Sequence, residues 1–200
     1  VLPADLRELA PMKVESLDGT QVEALRKGDL VAAFGQQFAG LYLKQPLTLP
    51  TGAMELVHRV QEINPTGGRY GIGSITAEAD IHPEDWFLTC HFSDDMVMPG
   101  TLMYECCLHT LRLYLLRMGW VAEAADVVYQ PILGVRSRLK CRGQVLATTK
   151  LVTYEVSIKE LGYAPEPYAI VDSLMYADGK PIVEINDMSV RMTGVNREYF

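Results

Sequence analysis

Two residues that can transfer protons flank a Pro-Gly step in the segment CHFSDDMVMPGTLMYECC, which runs from Cys90 to Cys107. His91 is of the type that accepts a proton near neutral pH. Glu105 stands fourteen positions later in an otherwise apolar stretch, where burial raises the pKa of a carboxyl group and keeps it protonated. Because a charged residue is seldom fully buried without a partner, these two residue types indicate a base and an acid that share one site.

The Pro99-Gly100 step predicts the start of a helix, since proline is tolerated in the first turn. Gly100 leaves room for a ligand beside backbone N–H groups that have no intrahelical partner and lie at the positive end of the helix dipole. Such groups can hold a carbonyl oxygen that gains negative charge. Base, acid and oxyanion donor together suit removal of a proton alpha to a carbonyl and loss of a beta hydroxyl group, which is a dehydration.

Other interpretations of the same residues remain open at this point. His91 can be a structural histidine beside a core strand. A metal site built from His91, Asp94, Asp95 and Glu105 is disfavoured, because the segment has no helical H-x-x-x-H pair. We expect Asp94 and Asp95 to face solvent or to cap a turn.

The elements that must position this segment form an α+β arrangement. One long helix is predicted over residues 101–118, apolar on nearly every face and ended by Gly119. Strands are predicted on both sides of it, including WFLTCHF before the helix, four strands after it and a hairpin at ADGK. Strands that surround a single helix favour an antiparallel sheet curved around that helix. We expect residues 1–50 to form an N-terminal helical extension with a lead-in loop, and residues 51–200 to form the main domain.

The overall composition of the chain disfavours some classes of partner. The formal net charge of −7 disfavours nucleic acid. No apolar run approaches the ~20 residues of a membrane span, so no membrane association is expected. The four cysteines include no C-x-x-C pair, which is typical of a reducing, cytoplasmic setting.

The stretch DWFLTCHFSDDMVMPGTLMYE resembles the active-site segment of the 3-hydroxyacyl-[acyl carrier protein] dehydratases, in the beta-hydroxydecanoyl-thioester branch. The resemblance covers about residues 23–194 and includes KGDLVAAFG, LPTGAMELVHRV, GIGSITAEADI and MSVRMTG. It extends to the dehydratase domains embedded in polyunsaturated fatty acid and polyketide synthases. It implies the hot-dog fold, in which a curved antiparallel sheet wraps around one long central helix.

The resemblance also implies roles for individual residues. His91 aligns with the histidine that takes the C2 proton, and Glu105 stands where this branch has the aspartate that protonates the departing 3-hydroxyl group. Gly100 aligns with the glycine whose N–H polarises the thioester carbonyl. Val97 aligns with the residue whose backbone carbonyl orients the histidine ring. His109 stands where the family usually has a glutamine that helps to position the acid.

Carrier proteins are acidic, which draws attention to the basic segment GVRSRLKCRG. Four cations recur at every second position, so a strand would place them all on one face and Val135, Leu139 and Cys141 on the other. They are Arg136, Arg138, Lys140 and Arg142. This face is a candidate docking surface for an acyl carrier protein, and a solvated outer sheet face is an equal alternative.

The sequence therefore predicts a lyase that dehydrates a (3R)-hydroxyacyl thioester to a trans-2-enoyl thioester. The substrate is expected on the phosphopantetheine arm of an acyl carrier protein, with no metal, nucleotide or flavin. The family pattern, in which one hot dog supplies the histidine and its partner the acid, implies a homodimer or a tandem hot-dog pair. The rival interpretations are a hot-dog acyl thioesterase and a non-catalytic hot dog that shapes a multidomain synthase.

Overall fold

One antiparallel sheet and one long helix dominate the computed structural model, which describes residues 10–90, 92, 94–122 and 127–195. The helices are α1 Gly19–Arg26, α2 Leu30–Phe34, α3 Phe87–Cys90 and α4 Gly100–Met118. The strands are β1 Glu15–Leu17, β2 Arg59–Asn64, β3 Ser74–Asp80, β4 Val128–Gln130, β5 Arg138–Cys141, β6 Leu151–Gly162, β7 Tyr168–Ala177 and β8 Lys180–Thr193. Their order across the sheet is β1-β2-β3-β6-β7-β8-β4, and β5 also pairs with β8.

Helix α4 fills the concave side of this sheet. Buried side chains occur on nearly every turn of it, from Leu102 to Met118, as expected for a helix that is apolar all round. It ends at Gly119, whose φ of 99° is a left-handed conformation that glycine adopts without a steric penalty. The predicted helix is confirmed, and with the curved antiparallel sheet around it this is the hot-dog fold.

The hairpin predicted at ADGK is confirmed as the turn between β7 and β8. Asp178 and Gly179 occupy it with φ values of 47° and 78°, the positive values that a two-residue hairpin turn requires. These two strands pair along their length and provide part of the wall against which α4 packs.

The N-terminal residues join the same core. Strand β1 pairs with β2, and the side chains of Val22, Leu25 and Leu30 are buried. Arg117, in the last turn of α4, is buried and forms an ion pair with Glu15. The boundary at residue 50 stays a prediction.

Two predictions about the elements are wrong. WFLTCHF contains the short helix α3 rather than a strand, because the backbone N–H of Leu88 donates to Asp85 and that of Thr89 donates to Trp86. The described residues after α4 form five strands rather than four, since the three-residue strand β4 pairs with the end of β8.

Within the described ranges, no helix combines the length and the apolar composition needed to cross a bilayer.

Candidate active site

The first turn of α4 offers unpaired backbone donors. Pro99 is the N-cap residue, with φ −57° and ψ 141°, and its side chain provides no cap. Its carbonyl accepts hydrogen bonds from the backbone N–H groups of Leu102 and Met103, at 3.0 and 3.1 Å. In the described part of the chain nothing accepts from the N–H groups of Gly100 and Thr101, so these two amides can bind an oxygen that carries negative charge.

The Pro99-Gly100 turn is held against the segment that follows β5. The Met98 N–H donates to the Val145 carbonyl at 3.0 Å, and Val97 forms a β-bridge with Leu146. A side chain added at Gly100 would place its Cβ 3.6 Å from the sulfur of Cys141. The predicted binding residues Val97 and Gly100 therefore lie together beside the β5 edge, Val97 buried and Gly100 half-buried.

His91, the predicted base, lies outside the described residues. Asp94 and Asp95, three and four positions later, are exposed as the sequence predicts. The roles assigned to His91 and to the Val97 carbonyl both stay predictions.

Glu105 is a partly buried acid on the open face of α4. Its side chain is 41% exposed. Burial raises the pKa of its carboxyl group, and the positive charge of Arg112 opposes this rise. The direction is the one that a proton donor needs, because a raised pKa keeps the carboxyl group protonated at higher pH.

His109 lies one helical turn beyond Glu105, and the two side chains meet. The separation of His109 Nε2 from Glu105 Oε2 is 3.5 Å. Burial, together with the charges of Arg112 and Arg26, lowers the pKa of His109 to about 4. The imidazole is therefore neutral at pH 7, and the contact is a polar one between neighbours rather than an ion pair. The structure thus brings together the predicted acid and its predicted positioning residue, whose role stays a prediction.

Arg112 belongs to this site and was missed from the sequence. Its Nη2 donates to the backbone carbonyls of Pro46, Leu47 and Thr48, at 3.1, 3.3 and 3.0 Å. Its guanidinium carbon lies 5.5 Å from the centre of the Tyr129 ring, within cation–π range. The signal in the sequence was an arginine in an apolar helix, seven positions after Glu105 and therefore on nearly the same face.

A cavity of about 430 Å³ opens along this face of α4. Tyr104, Leu108 and Arg112, spaced by four residues, form its helical wall. The opposite wall comes from β4 and from residues 189–190 of β8, and Pro46 closes one side. A cavity of this size is typical of small-ligand sites.

The predicted basic face is only partly regular. Strand β5 begins at Arg138, so Arg136 precedes it, and Arg142 follows its end. Lys140 and Arg142 each lie 3.6 Å from the carboxylate of Glu184.

The sequence predicts that Leu139 and Cys141 lie on the face opposite the cations. Leu139 is 37% exposed and Cys141 is exposed as well. Strand β5 lies at an edge of the sheet, and all four of its residues are exposed. Whether the four cations dock a carrier protein stays a prediction.

Comparison with known proteins places the chain in a family. A model of the FabA-like domain matches residues 49–186. A polyunsaturated fatty acid synthase subunit from Thraustochytrium sp. is 34% identical over 121 residues, which cover 60% of this chain. The chain spans only 8% of that relative's length.

Solved structures show weaker likeness. A hypothetical thioesterase from Streptococcus pneumoniae TIGR4, solved with coenzyme A, is 12% identical with a TM-score of 0.43. A probable thioesterase from Bartonella henselae is 13% identical with a TM-score of 0.44. The matches cover 62% of this chain in both cases, and 81% and 90% of those proteins.

The family match covers more than half of the chain, includes the helix start and Glu105, and agrees with the observed sheet and helix. The chain therefore belongs to the FabA-like domain family.

Proposed function

We propose that this chain dehydrates a (3R)-hydroxyacyl thioester, carried on an acyl carrier protein, to a trans-2-enoyl thioester. The observation that carries the proposal is the position of Glu105 in a FabA-like domain. This acid has a raised pKa and stands five residues after Gly100, the first residue of α4. Five residues correspond to about 7.5 Å along a helix, which suits a group that acts two carbons away from a bound carbonyl.

The reaction divides among three groups. The amide of Gly100 holds the thioester oxygen while negative charge develops on it. His91 removes a proton from C2, and the electrons of the C2–H bond form the C2–C3 double bond. The C3–O bond breaks as Glu105 gives its proton to the hydroxyl group, which leaves as water. His109 is the positioning residue for the Glu105 carboxyl group.

A carrier protein and its phosphopantetheine arm are the proposed source of the substrate. The relative from Thraustochytrium sp. is by name part of a polyunsaturated fatty acid synthase, and this name supports a substrate that is a fatty acyl chain held as a thioester. The proposed chemistry uses side chains and backbone amides only, so it needs no metal, nucleotide or flavin.

A second hot dog is proposed to complete the site, as a homodimer or as a tandem pair. The edge near Gly100 exposes apolar surface that a partner would cover. Leu139, Leu146 and Met96 are 37%, 40% and 41% exposed there. An exposed apolar edge strand is a feature that proteins usually cover by pairing.

Product analysis tests the proposal against its rivals. The chain is incubated with a 3-hydroxyacyl N-acetylcysteamine thioester, and the products are separated and weighed by mass spectrometry. We expect the enoyl thioester. Free acid as the main product would instead identify a thioesterase, and unchanged substrate from a folded, partner-complete sample would identify a non-catalytic domain.

A further inference from the structure

Arg112 is a largely buried cation with no counter-ion among the described residues. No described carboxylate lies within 4 Å of its guanidinium group. Glu105 influences the pKa of Arg112 only through a longer-range charge interaction. Its Nε is buried and makes no hydrogen bond to any described residue. Burying a charge is costly unless polar partners compensate. All the hydrogen bonds that Arg112 makes to described residues come from Nη2, so Nη1 has capacity for a further oxygen acceptor.

The cavity beside Arg112 is mainly apolar, although the polar side chains of Gln130 and Ser189 also belong to its lining. Leu108, Val128 and Val190 contribute hydrocarbon to its walls. The Tyr129 hydroxyl group donates its proton to the Trp120 carbonyl at 2.8 Å and so has no further proton to donate to a ligand. A mainly apolar cavity with a cation at its wall is complementary to an apolar chain that carries an oxygen function.

The geometry of α4 connects this cavity to the proposed reaction. Tyr104, which lines the cavity, is the immediate neighbour of Glu105. Arg112 follows Glu105 by seven residues, or about 10 Å along the helix axis. An acyl chain that extends from the reacting carbon at Glu105 along this wall would therefore reach the guanidinium several carbons further on.

We propose that this cavity holds the acyl chain of the substrate, and that Arg112 selects chains bearing an oxygen acceptor about 10 Å beyond the reacting carbon. A keto or hydroxyl oxygen at that distance accepts from the guanidinium. This inference rests on the proposed function for the identity of the ligand and goes beyond it by naming the class of chain.

A purely structural role for Arg112 makes a different prediction. Its bonds to the carbonyls of residues 46–48 tie that loop to α4. If that were its whole role, its removal would lower the melting temperature and weaken the binding of all chains alike.

Binding of unreactive analogues separates the two roles. The probes are pantetheine amides that lack the 3-hydroxyl group and so cannot be dehydrated. One carries a saturated chain of medium length, and the others carry the same chain with a keto oxygen moved outwards one carbon at a time. Dissociation constants are measured by calorimetry on the intact chain.

We expect the wild-type chain to bind the best-placed keto analogue about tenfold more tightly than the saturated one, the factor typical of one hydrogen bond to a charged group. Equal affinity across the series, or tighter binding of the saturated chain, would overturn the inference from the wild type alone. Because the probes need no turnover, this outcome is distinct from a failure of the proposed dehydration.

Variants then assign the preference to the residue. Arg112→Met should abolish the tenfold difference, while Arg69→Met, which removes an exposed arginine paired with Asp172 on another surface, should keep it. A preference that persists in folded Arg112→Met contradicts the assignment.

A second variant covers the case in which Arg112→Met does not fold. Leu108→Trp fills the cavity wall and should weaken binding of the medium-length chains while sparing a four-carbon analogue. If Leu108→Trp changes the dissociation constants of both chain lengths by the same factor, then the chain lies elsewhere and the inference is overturned.

Discussion

Glu105 acts as an acid only while its carboxyl group holds a proton, which makes its environment the first determinant of rate. Replacing it with glutamine keeps the shape and removes the proton. We expect Glu105→Gln to lower kcat by about 10²- to 10⁴-fold, the usual worth of a general acid. Steady-state assays with a 3-hydroxyacyl thioester measure this, and a kcat within a few-fold of wild type would remove Glu105 from the mechanism.

The pH dependence of kcat should also report the protonation of Glu105. Burial raises the pKa of Glu105, so the protonated, active form persists to higher pH and is lost as pH rises through that raised value. We expect kcat to fall on the alkaline side for this reason. The residual activity of Glu105→Gln should lack this alkaline fall, and an identical alkaline limb in both chains would assign the titration to another group.

His109 makes a prediction about stability rather than rate. Its pKa is about 4 in the folded chain against 6.5 for an ordinary histidine, so the folded state resists protonation that the unfolded state accepts. The stabilisation is complete above pH 6.5 and is lost as pH falls towards 4, by up to about 3 kcal/mol. His109→Gln cannot titrate and should flatten this part of the stability curve in urea unfolding at several pH values. Parallel curves for the two chains would contradict the buried neutral imidazole.

At the scale of elements, the start of α4 sets where the thioester oxygen can bind. A methyl group at Gly100 fits, because its Cβ would lie 3.6 Å from Cys141, an ordinary contact, and alanine favours a helix more than glycine does. That methyl group would crowd the approach to the amide. We expect Gly100→Ala to keep or raise the melting temperature while lowering kcat/KM about tenfold or more.

The neighbouring exposed position supplies the control for that test. Thr101→Ala changes a side chain in the same turn without adding bulk and should leave kcat/KM nearly unchanged. If Gly100→Ala is as active as Thr101→Ala, then the oxygen does not bind at this amide.

The elements that could be predicted from the sequence carry strong local signals. Helix α4 is apolar over five turns and ends at a glycine, and the ADGK turn demands positive φ values. Strands β1 and β4 are three residues long, too short for a period-two pattern to stand out. They exist because partners distant in the chain, β2 and β8, present free edges to them.

At the scale of the whole molecule, part of the site could be predicted and part could not. The Pro99-Gly100 start and Glu105 share one segment, so their local spacing was informative. The place of Arg112 in the site could not be predicted, because it depends on contacts with residues 46–48 and Tyr129. These residues are distant from α4 in the sequence, so no local pattern encodes the contacts. The exposure of Leu139 and Cys141 is likewise a tertiary property, because it depends on which elements the fold brings to β5.

The basic segment around β5 gives a prediction about the carrier protein. Lys140 and Arg142 are already near Glu184, whereas Arg136 and Arg138 form no ion pair with any other described residue. We expect the double change Arg136→Glu and Arg138→Glu to weaken carrier-protein binding and to make the remaining binding less sensitive to salt.

A small thioester provides the control, because it has no protein surface to dock. Its turnover should be unchanged in the double variant, which isothermal titration and the absorbance of the enoyl product can follow together. Equal losses with both substrates, or no loss with either, would contradict docking at this surface.

The most direct test of the proposed dehydration is the intact mass of a 3-hydroxyacyl carrier protein incubated with this chain. We expect the acyl-carrier mass to decrease by one water, and His91→Ala and Glu105→Gln to largely prevent this decrease. Full activity in both variants, or release of the acyl group as free acid, would contradict the mechanism.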